Sequence, residues 1–126
     1  MKVIYLNVNA NQPPQILDIE DRLQLYFDLI ECDTLNIVQR KIGDRTFLII
    51  CDDEGVLKMP EKISAISSKG RIQFVGNLII CSDVVTEDGD LVGLTDEETF
   101  YIMERIKKCR TISNPKGYDI LTCCDY

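Results

Sequence analysis

The stretch that most restricts this fold is Val75-Gly76-Asn77-Leu78-Ile79-Ile80-Cys81, closed by Ser82-Asp83. It is short, almost wholly apolar and rich in isoleucine. That composition predicts a strand buried on both faces rather than one with a wet side. A turn-rich acidic segment follows, and then Thr95-Asp96-Glu97-Glu98. A threonine with glutamate three residues on is a capping box, in which each side chain satisfies the other residue's backbone N–H. A buried strand, a turn and a capped helix need one packed core around them. A chain of 126 residues that is 45% hydrophobic supplies enough apolar material for one.

The rest of the chain reads mainly as strands. Lys2 to Val8 is a first strand, Asn9 to Pro14 a loop and Gln15 to Ile19 a strand that pairs back. Asp21 is the expected cap of a helix running to Ile30, with Leu23, Phe27, Ile30 and the neighbouring Tyr26 as its core stripe. Leu35 to Ile42 and Thr46 to Cys51 form a hairpin around Gly43-Asp44, where glycine supplies the positive φ of a tight turn. Asp52 to Gly55 is a turn, Val56 to Pro60 a surface loop, Ile63 to Ser67 ambiguous, and Arg71 to Cys81 one strand or two. Leu48-Ile49-Ile50-Cys51 and Leu78-Ile79-Ile80-Cys81 repeat one tetrapeptide and read as two core strands of similar composition.

Asp88-Gly89-Asp90 is a hairpin turn leading to a short strand, Leu91 to Gly93. In the helix after Thr95, Ile102, Met103, Ile106 and Cys109 are the expected buried face, and Arg105, Lys107, Lys108 and Arg110 suit the negative end of its dipole. Asn114 to Gly117 turns the chain into a last strand, Tyr118 to Cys123. The pattern predicts an α+β fold: a mainly antiparallel sheet with two helices packed against it. Residues 1–110 form a single domain, and 111–126 a C-terminal extension that adds an edge strand.

The composition excludes more chemistry than it suggests. Without histidine, the common Ser-His-Asp and Cys-His arrangements and histidine metal sites are absent. No glycine-rich phosphate motif occurs. A net charge of −7 argues against direct nucleic-acid binding, which rests on lysine and arginine neutralising phosphates. The six cysteines include no Cys-x-x-Cys pair, and the first residues lack the features of a signal peptide. The expectation is a cytoplasmic protein with reduced thiols and no membrane segment. Two acidic turns remain, Asp52-Asp53-Glu54 and Glu87-Asp88-Gly89-Asp90, together with the basic run at Arg105, Lys107, Lys108 and Arg110. A calcium loop does not fit the second turn, because with Gly89 at its sixth position the first ligand would be Val84.

Three ordered segments carry a resemblance: Ile50 to Pro60, Val75 to Ile80, and Asp88 to Glu98. Together they resemble the "domain of unknown function 3846" family of small uncharacterised proteins from bacteria, phages and mobile elements. The likeness runs from Met1 to about Lys108. Cys32-Asp33 stands where the family pattern expects a glycine-containing turn, and the tail after Cys109 looks like an extension. The resemblance implies an accessory protein of phage or mobile-element setting with no assigned activity. It supplies no catalytic, cofactor-binding or metal-binding residue.

The reading that follows is a non-catalytic protein-interaction module whose partner is another protein, acting as a monomer or a symmetric dimer without metal or cofactor. Its interaction surface would be Asp52, Asp53, Glu54, Glu87, Asp88 and Asp90, with Arg105, Lys107, Lys108 and Arg110 as a basic patch. Two alternatives stay open: an acidic inhibitor that imitates nucleic acid before a DNA-acting host protein, and a hydrolase or transferase working through carboxylates.

Overall fold

The computed structural model describes residues 1–54, 62–110, 112, 115 and 117–126. The expected loop over Val56 to Pro60 lies outside them. Among the described residues, ten strands and two helices follow one another as β1 (Lys2–Leu6), β2 (Gln15–Asp18), α1 (Leu23–Ile30), β3 (Leu35–Ile42), β4 (Arg45–Asp52), β5 (Ile63–Ile66), β6 (Ile72–Val75), β7 (Leu78–Ser82), α2 (Asp96–Met103), β8 (Ile106–Cys109), β9 (Tyr118–Leu121) and β10 (Cys124–Asp125). The fold is α+β and its pairing is mostly antiparallel. The strands make two sheets, however, where one was expected: a six-stranded sheet in the order β10-β3-β4-β7-β1-β2 and a four-stranded sheet in the order β6-β5-β9-β8.

β7 is the central strand that its composition predicts, with every residue buried. Its side chains divide by alternation between two core clusters. Leu78 and Ile80 join Ile4, Leu6, Phe47 and Ile49, where Ala65, Phe74 and Leu121 of the smaller sheet and Ile102 of α2 also meet. Ile79 and Cys81 join Val3, Tyr5 and Ile50, with Tyr26 and Ile30 of α1. The repeated tetrapeptides are direct neighbours: Leu48 faces Cys81, Ile49 faces Ile80 and Ile50 faces Ile79. Two strands of the same composition thus form the middle of the sheet.

The segment Arg71 to Cys81 is two strands, and they belong to different sheets. The break is at Gly76-Asn77, where Gly76 takes a φ of 88° and its N–H donates to the Lys62 carbonyl at 2.7 Å. A residue with a Cβ rarely adopts that backbone. Asn77 is fully buried at the crossing. The two N–H donors of its Nδ2 are shared among three acceptors: Tyr5 Oη at 3.2 Å, the Leu29 carbonyl at 3.0 Å and Glu31 Oε2 at 2.8 Å. Its Oδ1 accepts from the Asn9 N–H at 3.1 Å. One side chain therefore joins β1, β7, the end of α1 and the loop after β1. Glu31, which closes α1, sits in the left-handed region at a φ of 62°. Strain of about 1 kcal/mol at a non-glycine residue there is offset by its bond to Asn77.

Asp21 does not cap α1. Arg22 holds the cap position without a side-chain hydrogen bond. The Asp21 carboxylate instead accepts from Tyr26 Oη and, at 2.8 Å, from the Leu91 N–H. It ties the helix to the segment before α2, an attachment that outweighs local capping. Leu23 faces outward at 64% exposure, so the buried stripe is Tyr26 and Ile30.

At α2 the capping box is present in both directions, Thr95 Oγ1 accepting from Glu98 N–H at 3.1 Å and Glu98 Oε1 from Thr95 N–H at 2.9 Å. The helix ends at Met103, earlier than expected. Ile106 and Cys109 belong to β8; Arg105 still meets the helix end, donating to the Tyr101 carbonyl at 2.9 Å, but Lys107 and Lys108 lie on β8 and Arg110 beyond it, away from the helix dipole. Leu91 makes only an isolated bridge with Val85 among the described residues, in place of the expected short strand. Of the turn expected over Asn114 to Gly117, residues 114 and 116 lie outside the described residues.

Beyond it, β9 runs antiparallel to β8 and parallel to β5, an inner position in the smaller sheet. The chain then crosses to the larger sheet, where β10 pairs with the end of β3, Cys124 facing Ile42 and Asp125 facing Lys41. Ile120, Leu121 and Cys124 are all buried.

Candidate functional site: a cleft between the two sheets

The β3–β4 hairpin turns at Gly43-Asp44, with Ile42 facing Arg45. Gly43 has a φ of 66°, and an added Cβ would strike the Tyr101 hydroxyl. Glycine is needed there for conformation and for space alike. In a two-residue hairpin this register directs the N–H and C=O of Asn36, Val38, Arg40 and Ile42 to β4, and those of Leu35, Ile37, Gln39 and Lys41 to the outer edge. Among the described residues, β10 covers that edge only at Lys41 and Ile42. The edge from Leu35 to Gln39 has no strand beside it among the described residues.

The side chains of Asn36, Val38 and Arg40 share one face of β3, in phase with the core residue Ile42. With Cys51 they floor a cleft of about 340 Å³, walled by Gln73, Phe74 and Val75 of β6 and bounded by Tyr126, Asp52 and Asp53. The cleft exists because the smaller sheet covers only part of the larger one.

Arg40 is its main electrostatic feature. Its guanidinium carbon lies 4.1 Å from the Tyr126 ring centroid and 5.4 Å from that of Phe74. Two aromatic faces hold the cation by their quadrupoles. Its Nη1 donates to the Gln39 carbonyl at 2.9 Å, one of the groups the open edge leaves unpaired. Arg40 Nε and Ser64 Oγ are the buried side-chain polar atoms without a hydrogen-bond partner among the described residues. Of the two residues, only Arg40 lines the cleft.

The cleft's thiol is inert. Burial pushes Cys51 up to about 12, and Arg40, which pulls the other way, does not reverse it. The same balance holds Cys124 at about 12. Both stay protonated at neutral pH and are poor nucleophiles. Cys51 Sγ donates to the Asn36 carbonyl at 3.6 Å. None of the six cysteines is in a disulfide. Among the described residues no group of three potential Cys, Asp or Glu ligands comes together as a metal would require. No helix among the described residues is long and apolar enough to cross a membrane.

The six acidic residues singled out in the sequence do not come together. Asp52 and Asp53 line the cleft. Glu54 is exposed beside them, its N–H donating to Asp52 Oδ1 at 2.9 Å. Glu87, Asp88 and Asp90 lie on an exposed turn closed by the Thr86 N–H to the Asp90 carbonyl at 2.9 Å. β4 enters the first group beyond Ile50, which faces Ile79, whereas β7 enters the second beyond Ser82, which faces Phe47. The two groups are thus at opposite ends of the central strands.

The basic run is divided as well. Arg105 lies 3.6 Å over the Tyr101 ring, donates to the Tyr101 carbonyl and pairs with Glu104, all local structural contacts. Lys107 and Lys108 are successive residues of β8, so their side chains leave opposite faces. Lys108 Nζ lies 3.9 Å from Asp119 Oδ2, and Arg110 is exposed beyond the strand.

Arg40, Phe74 and Tyr126 were not singled out in the sequence. One signal was present: Arg40 sits in the register of Val38 and Ile42, a cation in phase with core positions. Nothing local marks Phe74 or Tyr126 as its partners.

The sequence matches the profile of the family described as Domain of unknown function (DUF3846) over residues 1–108. No curated protein and no solved structure matches it.

Proposed function

Since the chain belongs to the DUF3846 family of unknown function, we propose its role from the cleft alone: it is a non-catalytic protein-interaction module that receives another protein between its two sheets. The observation that carries this reading is Arg40, a cation held between two rings, which among the described residues has no partner for its Nε and lies beside a strand edge that no strand covers from Leu35 to Gln39. Open edges pair readily with other chains. Against catalysis, the cleft's thiol is held protonated and one aspartate serves its own turn.

The opposite placement of the acidic turns supports a local docking site more than a continuous face imitating nucleic acid. Six cysteines outside any disulfide support a cytoplasmic setting, and the family resemblance an accessory role for a phage or mobile element.

The test is affinity capture from host lysate, with quantitative mass spectrometry, by the wild type and by Val38→Lys. The lysine fills the cleft floor. One or a few proteins should be retained by the wild type and lost with the variant, both proteins giving the same circular dichroism spectrum. Equal recovery on both, or recovery on neither, sets the reading aside.

A further inference from the structure

We infer that the cleft binds an extended peptide segment that adds a strand to the open edge of β3, with an acidic side chain on Arg40 and a basic one four residues further on at Asp53. The inference rests on the interaction-module reading and names the partner's chemistry.

The backbone argument comes from register. Ile37 and Gln39 direct their N–H and C=O away from β4, and among the described residues no strand lies beside them. The Gln39 carbonyl accepts from Arg40 Nη1, a side chain standing in for a missing strand. An added strand would bond these groups, the mode by which sheet edges take up peptides. β10 already runs antiparallel on this edge and leaves it at Asp125, opposite Lys41. A visiting strand in the same direction starts opposite Gln39 and proceeds towards Leu35.

The side-chain argument comes from charge. Alternate residues of the visiting strand face the cleft. The first, opposite Val38, lies diagonally beside Arg40, whose unpaired Nε and stacked guanidinium suit a carboxylate. Four residues of strand cover about 13 Å, which carries the next charged position past Asn36 to Thr34. The Thr34 carbonyl is bonded to the Asp53 N–H at 3.1 Å, so the Asp53 side chain starts from there. Because the strand runs antiparallel, the acid precedes the base. A second copy of this chain at the same edge is the competing occupant, and the test separates the two.

The probe is a fluorescein-labelled, end-capped seven-residue peptide of threonine and valine, with glutamate second and lysine sixth. A control peptide exchanges those two residues. Anisotropy titration of the full chain should give saturable binding of the probe, weaker by about tenfold or more for the control. Arg40→Gln should weaken the probe to a similar degree. Ile37→Pro should abolish binding, because it removes an outward N–H while leaving the β4 ladder intact. The control peptide needs no variant to fold, so the charge order is tested independently. Equal binding of probe and control, or unchanged binding by both variants, overturns the inference. So does no binding at millimolar peptide, or light scattering showing a dimer that Ile37→Pro converts to monomer. If the peptide fails while lysate capture still depends on Val38, the partner's chemistry is wrong and the interaction module stands. If the wild type captures nothing, both fall.

Discussion

Asn77 and Arg40 are both polar side chains set among apolar neighbours, and they differ in what holds them. Asn77 is fully buried, with three acceptors for its amide and a donor for its carbonyl oxygen. Arg40 is held by two rings and one carbonyl, with a buried nitrogen left over. A buried polar group that is fully satisfied fixes architecture, because each bond to it excludes an alternative packing. One left unsatisfied carries an unmet desolvation penalty that a ligand can relieve. The first group specifies the fold, and the second marks where the fold is incomplete.

The bluntest way to break the comparison is to delete residues 117–126. This removes Tyr126 from Arg40, but also the buried Ile120, Leu121 and Cys124. Burying each large apolar side chain contributes about 1.5–3 kcal/mol, so the total approaches the whole stability of a small domain. The truncated chain should lack a cooperative melting transition by circular dichroism. A transition within a few degrees of the wild type would show that the Asn77 region alone sustains the fold.

Alkali should act next, through the thiols. Cys51, Cys81 and Cys124 are each raised from 9.0 to about 12 by burial. A raised folded pKa means that the native state holds its proton more tightly. The stabilisation is therefore complete below pH 9 and is lost as pH climbs towards 12. Tyr5, raised from 10.0 to about 12, adds to the loss over the upper part of that window. The melting temperature should be level from pH 7 to about 9 and fall steeply above it. A level profile to pH 11 would mean that the thiols are not buried.

The direct comparison is a pair of substitutions. Asn77→Ala leaves the Asn9 N–H and the Glu31 carboxylate without their partner and should destabilise by about 3 kcal/mol. Arg40→Gln should change stability by less than about 1 kcal/mol, since it removes a group already short of partners. Urea midpoints measure both, and equal losses would erase the distinction between the two residues. A local surface contact calibrates the pair. Thr95→Ala removes a satisfied polar contact at the surface and should cost about 1 kcal/mol in the same titration.

Much of this fold was legible where the determining interactions are local. The capping box at Thr95, the two-residue turn at Gly43-Asp44 and the buried run ending at Cys81 each carry their own physical reason within a few residues. The failures have a different origin. Ile102, Met103 and Ile106 follow a helical spacing, yet Ile106 pairs with Leu121 in a strand, a partner no local pattern names. Val75 and Leu78 sit in one apolar run, but the positive φ at Gly76 sends them to different sheets. In the candidate site, Asp52 and Asp53 were legible as turn carboxylates. The cation opposite them was not, because Arg40 becomes distinctive only when Phe74 and Tyr126 are brought to it from distant parts of the chain.

The parallel contact of β9 with β5 also orders events during synthesis. β9 joins β5 to β8, so the smaller sheet cannot close until Tyr118–Leu121 has been made. Until then the large sheet's face at Ile4, Leu78 and Ile80 lacks Leu121 from its cover. A ribosome adding about 5–20 residues per second holds that surface uncovered for seconds, longer than hairpin formation requires. The final collapse is thus gated by a long-range pairing, that of Ala65 with Leu121, rather than by any of the local hairpins.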